Sequence, residues 1–251
     1  DRNLKYTYDG NRWIAAEQYE VQKEQTVYAY HPYDQNATDM KLDIDLTKQE
    51  DVMYGKCAVT PDFPTAKPVM NHALSLIRIK LMRDEYIGKG LITDVMIKNV
   101  SSSLIMNILD GDIWIQEGKS DIPIGGGYML NDANPAVSEA ILPPLYHPDG
   151  VLLSFKLDGK EMSYTFPSWH EWEAGNIYTY TIKIKGAYNG EVNKDDVPID
   201  VEYWNQFGKT DEIVLRTVDY TDFENMFFIS TNHTEFGYDC YQNEGKPFGL
   251  F

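Results

Sequence analysis

The sequence predicts an all-β protein, and three observations carry that expectation. Val151, Leu153, Phe155 and Leu157 alternate with polar neighbours, as do Tyr178, Tyr180, Ile182 and Ile184. That period of two belongs to a half-buried strand. Turn signals built from Gly, Pro and Asp recur at intervals of roughly 8–12 residues, the spacing of β-sandwiches. Tyrosine is abundant, at 18 of 251 residues, and suits a pleated, half-wet surface better than a helix.

The elements follow in order. Leu4, Tyr6 and Tyr8 alternate up to the turn Asp9-Gly10-Asn11, and Thr26 to Tyr30 forms a second strand stopped by His31-Pro32-Tyr33. Only Asn11 to Gln22 hints at a helical turn. Leu42, Ile44 and Leu46 alternate with Asp43, Asp45 and Thr47; the two aspartates read as the solvent face of a strand in preference to a metal site. Asp51-Val52-Met53-Tyr54-Gly55 supplies an aromatic anchor and a turn at Gly55, and His72 opens the strand containing Ile77, Ile79 and Leu81.

Leu91 to Lys98 is the next strand, and Leu104 to Leu109 and Ile113 to Ile115 flank an Asp110-Gly111-Asp112 turn. Gly118 to Pro144 reads as loop. Its glycine run, Gly125 to Gly127, neither opens a helix nor has a supporting Lys or Ser, so it is not read as a phosphate cradle. A hairpin then joins the Val151 strand through Asp158-Gly159 to Met162, Tyr164 and Phe166. Beyond the Tyr178 strand come Ile199 to Tyr203, Glu212 to Leu215 and Met226 to Ile229. Two sandwiches fit this number of strands better than one. The polar run Asn99 to Ser103 places the division, giving residues 1–103 and 104–251.

Formal charge is −17, from 39 acidic and 22 basic residues. Such a field repels phosphate backbones and anionic lipid heads, so nucleic acid is not an expected partner. Cys57 and Cys240 fit neither a zinc nor a CxxC pattern and read as separate thiols sooner than as a pair. No apolar run approaches a membrane span and no signal peptide opens the chain, so an exported protein would be present here in mature or trimmed form.

Catalytic patterns are missing. None of His31, His72, His147, His170 and His233 has metal-ligand spacing to another His or Cys, and no GxSxG elbow occurs. His72 reads as structural. Asp219 to Asn225 lacks the glycine of an EF-hand loop and reads as a solvated acidic loop. Three Asn-x-Ser/Thr sequons, at Asn36, Asn99 and Asn232, hint only at surface positions. Trp169 and Trp172 flank a polar connection; with Trp204 they form the candidate glycan contact of a carbohydrate-binding module, against the plainer reading of indoles plugging a core. A glycosidase would need two carboxylates facing one cleft. No enzymatic activity, cofactor or metal is expected.

Tyr8-Asp9-Gly10 with Trp13, Tyr30-His31-Pro32-Tyr33, Asp51 to Gly55, and His72-Ala73-Leu74 occur in an order that resembles the Mfa-like fimbrillin family. Pro143 and the run Trp172 to Tyr180 resemble its later half, and the likeness extends from about residue 4 to residue 204. The resemblance implies tandem transthyretin-like β-sandwich domains in an exported lipoprotein of Bacteroidetes-lineage bacteria. It implies a type V pilus subunit or pilus-associated adhesin on the cell surface, attached to the outer membrane through a lipidated N-terminus. In that family a protease removes an N-terminal strand, and the vacated groove takes a strand from another pilin subunit. The physics is strand addition, in which backbone hydrogen bonds complete the sheet and alternate side chains enter the core. The lipid-bearing cysteine and first family strand lie outside this sequence. The tail beyond Trp204 has no counterpart in the resemblance, and its apolar end, with Phe248, Leu250 and Phe251, is the candidate donor segment.

Overall fold

The computed structural model describes residues 3–9, 13–17, 19–84, 86–148, 150–185, 199–204, 213–214 and 248–250. Strands dominate them, as the alternating pattern requires. In chain order they begin with β1 (Leu4–Tyr8), β2 (Trp13–Ala15), β3 (Gln25–His31) and β4 (Lys41–Asp45). A 3-10 turn, Leu46–Lys48, follows β4 and is capped by Asp45, whose carboxylate accepts from the Thr47 amide at 3.0 Å and the Thr47 hydroxyl at 2.6 Å. The Thr47 hydroxyl, the larger cause, and the Thr47 amide hold the Asp45 carboxyl below the usual carboxylate range. Leu42 and Ile44 are buried while Asp43 and Asp45 are exposed, so the aspartates line the wet face of β4.

Next come β5 (Met53–Val59), β6 (Thr65–Ala66), β7 (Val69–His72), β8 (Ser75–Asp84), β9 (Leu91–Val100), β10 (Ser103–Asn107) and β11 (Ile113–Ile115). Gly55 lies inside β5, not at a turn. A Cβ there would collide with the Val69 carbonyl of the neighbouring β7, so glycine is required by close backbone approach. His72 likewise ends β7 and does not open β8. The stretch expected to be loop contains β12 (Ser120–Gly125), β13 (Tyr128–Met129) and β14 (Ala136–Leu142). Its strand signal is weak because Pro123 and two register shifts interrupt β12, and β14 fills its inner face with Ala136, Ser138 and Ala140. The order closes with β15 (Leu152–Leu157), β16 (Lys160–Thr165), β17 (Asn176–Lys185), β18 (Ile199–Tyr203), β19 (Ile213–Val214) and β20 (Phe248–Leu250). Among the described residues between Asn11 and Gln22, β2 stands where a helical turn was expected; Met226 to Ile229, Asp219 to Asn225 and Cys240 lie outside the described residues.

Five sheets result. The first runs β2-β1-β20-β3-β5-β7, the second β11-β10-β4, and a small one pairs β19 with β6. The other two, β12-β9-β15-β16 (with β13 also on β9) and β14-β8-β17-β18, face each other. Tyr164 of the former meets Tyr180 of the latter at 6.0 Å between ring centres, and Phe166 meets Tyr180 edge-on at 4.9 Å. The pairing does not divide at Ser103. β8 and β9 pair with strands that follow it, whereas β10 returns to pair with β4. The polar run at 99–103 is a crossing between sheets, and so is the step from His72 to Ser75.

One large core joins Tyr30, Leu42, Ile44, Leu104 and Met106 to Ile77, Ile97, Leu153, Phe155 and Tyr180. A smaller core holds Leu4, Tyr6, Val21, Val27, Ala29, Val59 and Ala66. β3 serves both, Val27 and Ala29 facing the smaller and Tyr28 and Tyr30 the larger.

Candidate functional site

The C-terminal strand does not add to the outside of a sheet. β20 lies between β1 and β3, antiparallel to both: Leu250 stands opposite Leu4 and Ala29, Phe248 opposite Tyr6, and Gly249 opposite Lys5 and Tyr30. At about 4.8 Å per strand spacing, β1 and β3 are therefore about 10 Å apart and do not bond to each other there. Take β20 away, and the first sheet divides into the β1–β2 hairpin and the β3-β5-β7 group. The slot is flanked by buried residues, Leu4 and Tyr6 on one side and Ala29 and Tyr30 on the other.

One end of the slot is fixed by side chains. The Asn3 amide donates to the Asp34 carbonyl at 2.8 Å, and the Tyr30 hydroxyl lies 2.9 Å from both Asn3 Oδ1 and that carbonyl. Burial pushes the Tyr30 phenol up to about 12, so it remains a neutral hydrogen-bonding group at ordinary pH. Of the proposed donor residues, Phe248 and Leu250 occupy these register positions, while Phe251 lies outside the described residues.

The three tryptophans separate sharply. Trp172 is 1% exposed; its Nε1 donates to the Tyr180 hydroxyl at 2.8 Å, and Phe166 packs edge-on at 5.1 Å. Trp204 is 3% exposed, its amide bonds the Gly175 carbonyl, and its ring stacks on His72 at 4.2 Å and 6°. Neither indole offers a face to a sugar, which corrects the expectation for these two residues. Trp169 is 71% exposed and stands edge-on to His170.

His72 is buried with Asp51, its Nδ1 lying 2.9 Å from Oδ1 and 2.8 Å from Oδ2. Composition alone did not point to Asp51 as its partner. The alternating contacts of β5 and β7, which place Met53 opposite His72, bring them together. With one imidazole face covered by Trp204 and Nδ1 engaged, the pair is structural. It joins the first sheet to the point where β18 ends.

Strands dominate the described residues, and with the mid-sheet slot filled by β20 they define an all-β protein. The sequence pattern of the fimbrillin-like family matches residues 1–204, and the chain belongs to that family. Solved relatives share the fold. One, from Bacteroides uniformis and provisionally assigned to cell adhesion, is 23% identical, with a TM-score of 0.61 over 81% of this chain and 91% of its own. Another with the same provisional assignment, from Bacteroides ovatus, is 16% identical, with a TM-score of 0.59 over 76% of this chain and 75% of its own. No curated protein matches the chain.

Proposed function

We propose that the chain is a non-enzymatic cell-surface pilus subunit or pilus-associated adhesin that joins other pilin subunits by strand donation. The supporting observation is the place of β20 in the middle of the first sheet, contributed from the far end of the sequence. A strand that completes a sheet from within can be exchanged for an equivalent strand of another copy without altering the backbone bonds around it. Membership of the fimbrillin-like family supports the same reading, and with it display at the outer membrane through a lipid anchor.

The test removes residues 248–251 and offers a labelled peptide of residues 244–251 to the shortened chain. Saturable binding that raises the melting temperature is expected. A shortened chain that keeps its stability and ignores the peptide would sink the strand-donation reading. Crosslinking and electron microscopy of cells producing the protein then separate a polymerising subunit from an adhesin.

A second reading, a carbohydrate-binding module, is favoured by one observation, the exposed indole of Trp169. Loss of glycan-array signal on Trp169→Ala is its expected result.

A further inference from the structure

A cleft of about 540 Å³ opens between the edges of the two facing sheets, lined by Arg78, Ile124, Tyr128, Val137, Ser138 and Glu139. That size is within the range of small-molecule sites. One wall is the crossover from β12 to β13, both of which pair with β9. Gly125, Gly126 and Gly127 make this crossover at φ of 148°, 145° and 79°, a region that favours glycine. A Cβ on Gly125 would collide with the Tyr128 hydroxyl and come within 3.1 Å of Ser138 Oγ, so the bare glycine lets these two hydroxyls converge.

Ser138 is 4% exposed, and its Oγ has no hydrogen-bond partner among the described residues. A buried hydroxyl left unbonded is costly, and such a group beside a cleft marks a place for a ligand atom. On the outer face of β14, next along the strand, Arg78 Nε donates to Glu139 Oε1 at 2.6 Å across directly paired positions of β8 and β14.

The floor is an edge strand with a limit. Gln49 closes β14 at Ile141: its side-chain amide accepts from the Ile141 amide at 2.8 Å and donates to the Ile141 carbonyl at 3.1 Å. Since Ile141 turns its backbone groups away from β8, the antiparallel alternation turns those of Val137 and Glu139 the same way, towards the cleft edge. Two such positions before the Gln49 block are too short a run for a lasting added strand, but suit a ring-sized ligand.

We infer that this cleft binds a neutral, polyhydroxylated ligand of monosaccharide size. Arg78 and Glu139 balance each other's charge, so neither an anion nor a cation is favoured. A guanidinium beside a carboxylate presents donors and an acceptor to neighbouring hydroxyls. The Tyr128 ring, Ile124 and Val137 supply apolar surface for the C–H face of a pyranose. This site is separate from the β20 slot and from Trp169, and does not depend on assembly.

Saturation-transfer NMR on the purified full chain tests it, with glucose, galactose, mannose, fucose and N-acetylglucosamine as probes and free amino acids and a capped Thr-Val-Thr-Val peptide as controls. At least one sugar should receive saturation. Ser138→Ala and Tyr128→Phe should each weaken its binding by about fivefold, the effect of one hydrogen bond. Because Ser138 Oγ has no partner to lose, Ser138→Ala should not lower the melting temperature. Trp169→Ala should leave the sugar signal intact. The proposal is overturned if no sugar responds, if both cleft variants bind as the parent does, if Trp169→Ala removes the signal, or if the peptide or an amino acid displaces the sugar.

Discussion

Removing the imidazole of His72 would leave the buried Asp51 side chain without its hydrogen-bond partner. Leaving a buried polar group without its hydrogen-bond partner costs about 1–3 kcal/mol, and the stacking on Trp204 would be lost with it. His72→Ala should therefore lower the urea midpoint far more than Trp169→Ala, whose indole is exposed. A second residue-scale expectation concerns acid. Asp158 sits at the β15–β16 turn with a positive φ, and its carboxylate accepts from the Gly90 amide at 3.1 Å, the Leu91 amide at 2.9 Å and the Tyr86 hydroxyl at 2.9 Å. The Gly90 amide leads the causes that hold its pKa below the usual carboxylate value. A depressed folded pKa means stability that is full above the unfolded value, about 3.9, and lost as pH falls through the folded one. Asn tolerates the same backbone, so Asp158→Asn isolates the charge. The gap in urea midpoint between parent and variant should be open at pH 7 and close on acidification below about pH 4. The sequence pattern favoured a structural His72 and placed a turn at Asp158-Gly159. It could not show what either side chain bonds, because those partners are distant along the chain.

At the scale of elements, long alternating strands were legible and short irregular ones were not. Val151 to Leu157 and Tyr178 to Ile184 announce β15 and β17 because each buries a full stripe of large side chains. β12 and β14 escaped notice because Pro123, Gly125 and a row of small residues dilute the period. Gly55 misled for a related reason: a glycine marks close backbone approach as readily as a turn. The tie between Gln49 and β14 had no sequence signal, since the two lie 92 residues apart. Gln49→Ala should remove both bonds to Ile141 at a cost of about 1–2 kcal/mol. Amide exchange at Ile141 should accelerate accordingly, while amides of the central β8 keep their protection.

For the whole molecule, the all-β class was readable from pattern alone, but the interleaving of the chain between sheet groups was not. Periodicity reports which face of a strand is buried and is silent on which strand lies beside it. The same limit applies to the candidate slot. Phe248 and Leu250 stood out as apolar, yet nothing local placed them between β1 and β3. Residues 215–247 separate β19 from β20, a length that could span about 100 Å if extended. Concentrated protein of residues 1–251 held briefly in mild denaturant and then diluted should therefore yield exchanged oligomers on size-exclusion chromatography, and a chain lacking 248–251 should yield monomer. The stacking of His72 on Trp204 has a mechanical side as well. Apart from the return of β10 and β11 to β4, the chain stays in the facing sheets from just after His72 until Trp204, so these two rings clip the neck of a large loop. Tension applied between β7 and the end of β18 would cross that neck directly. Along that line the clip, rather than the many backbone bonds of β8 and β17, would be the first contact to feel a pull.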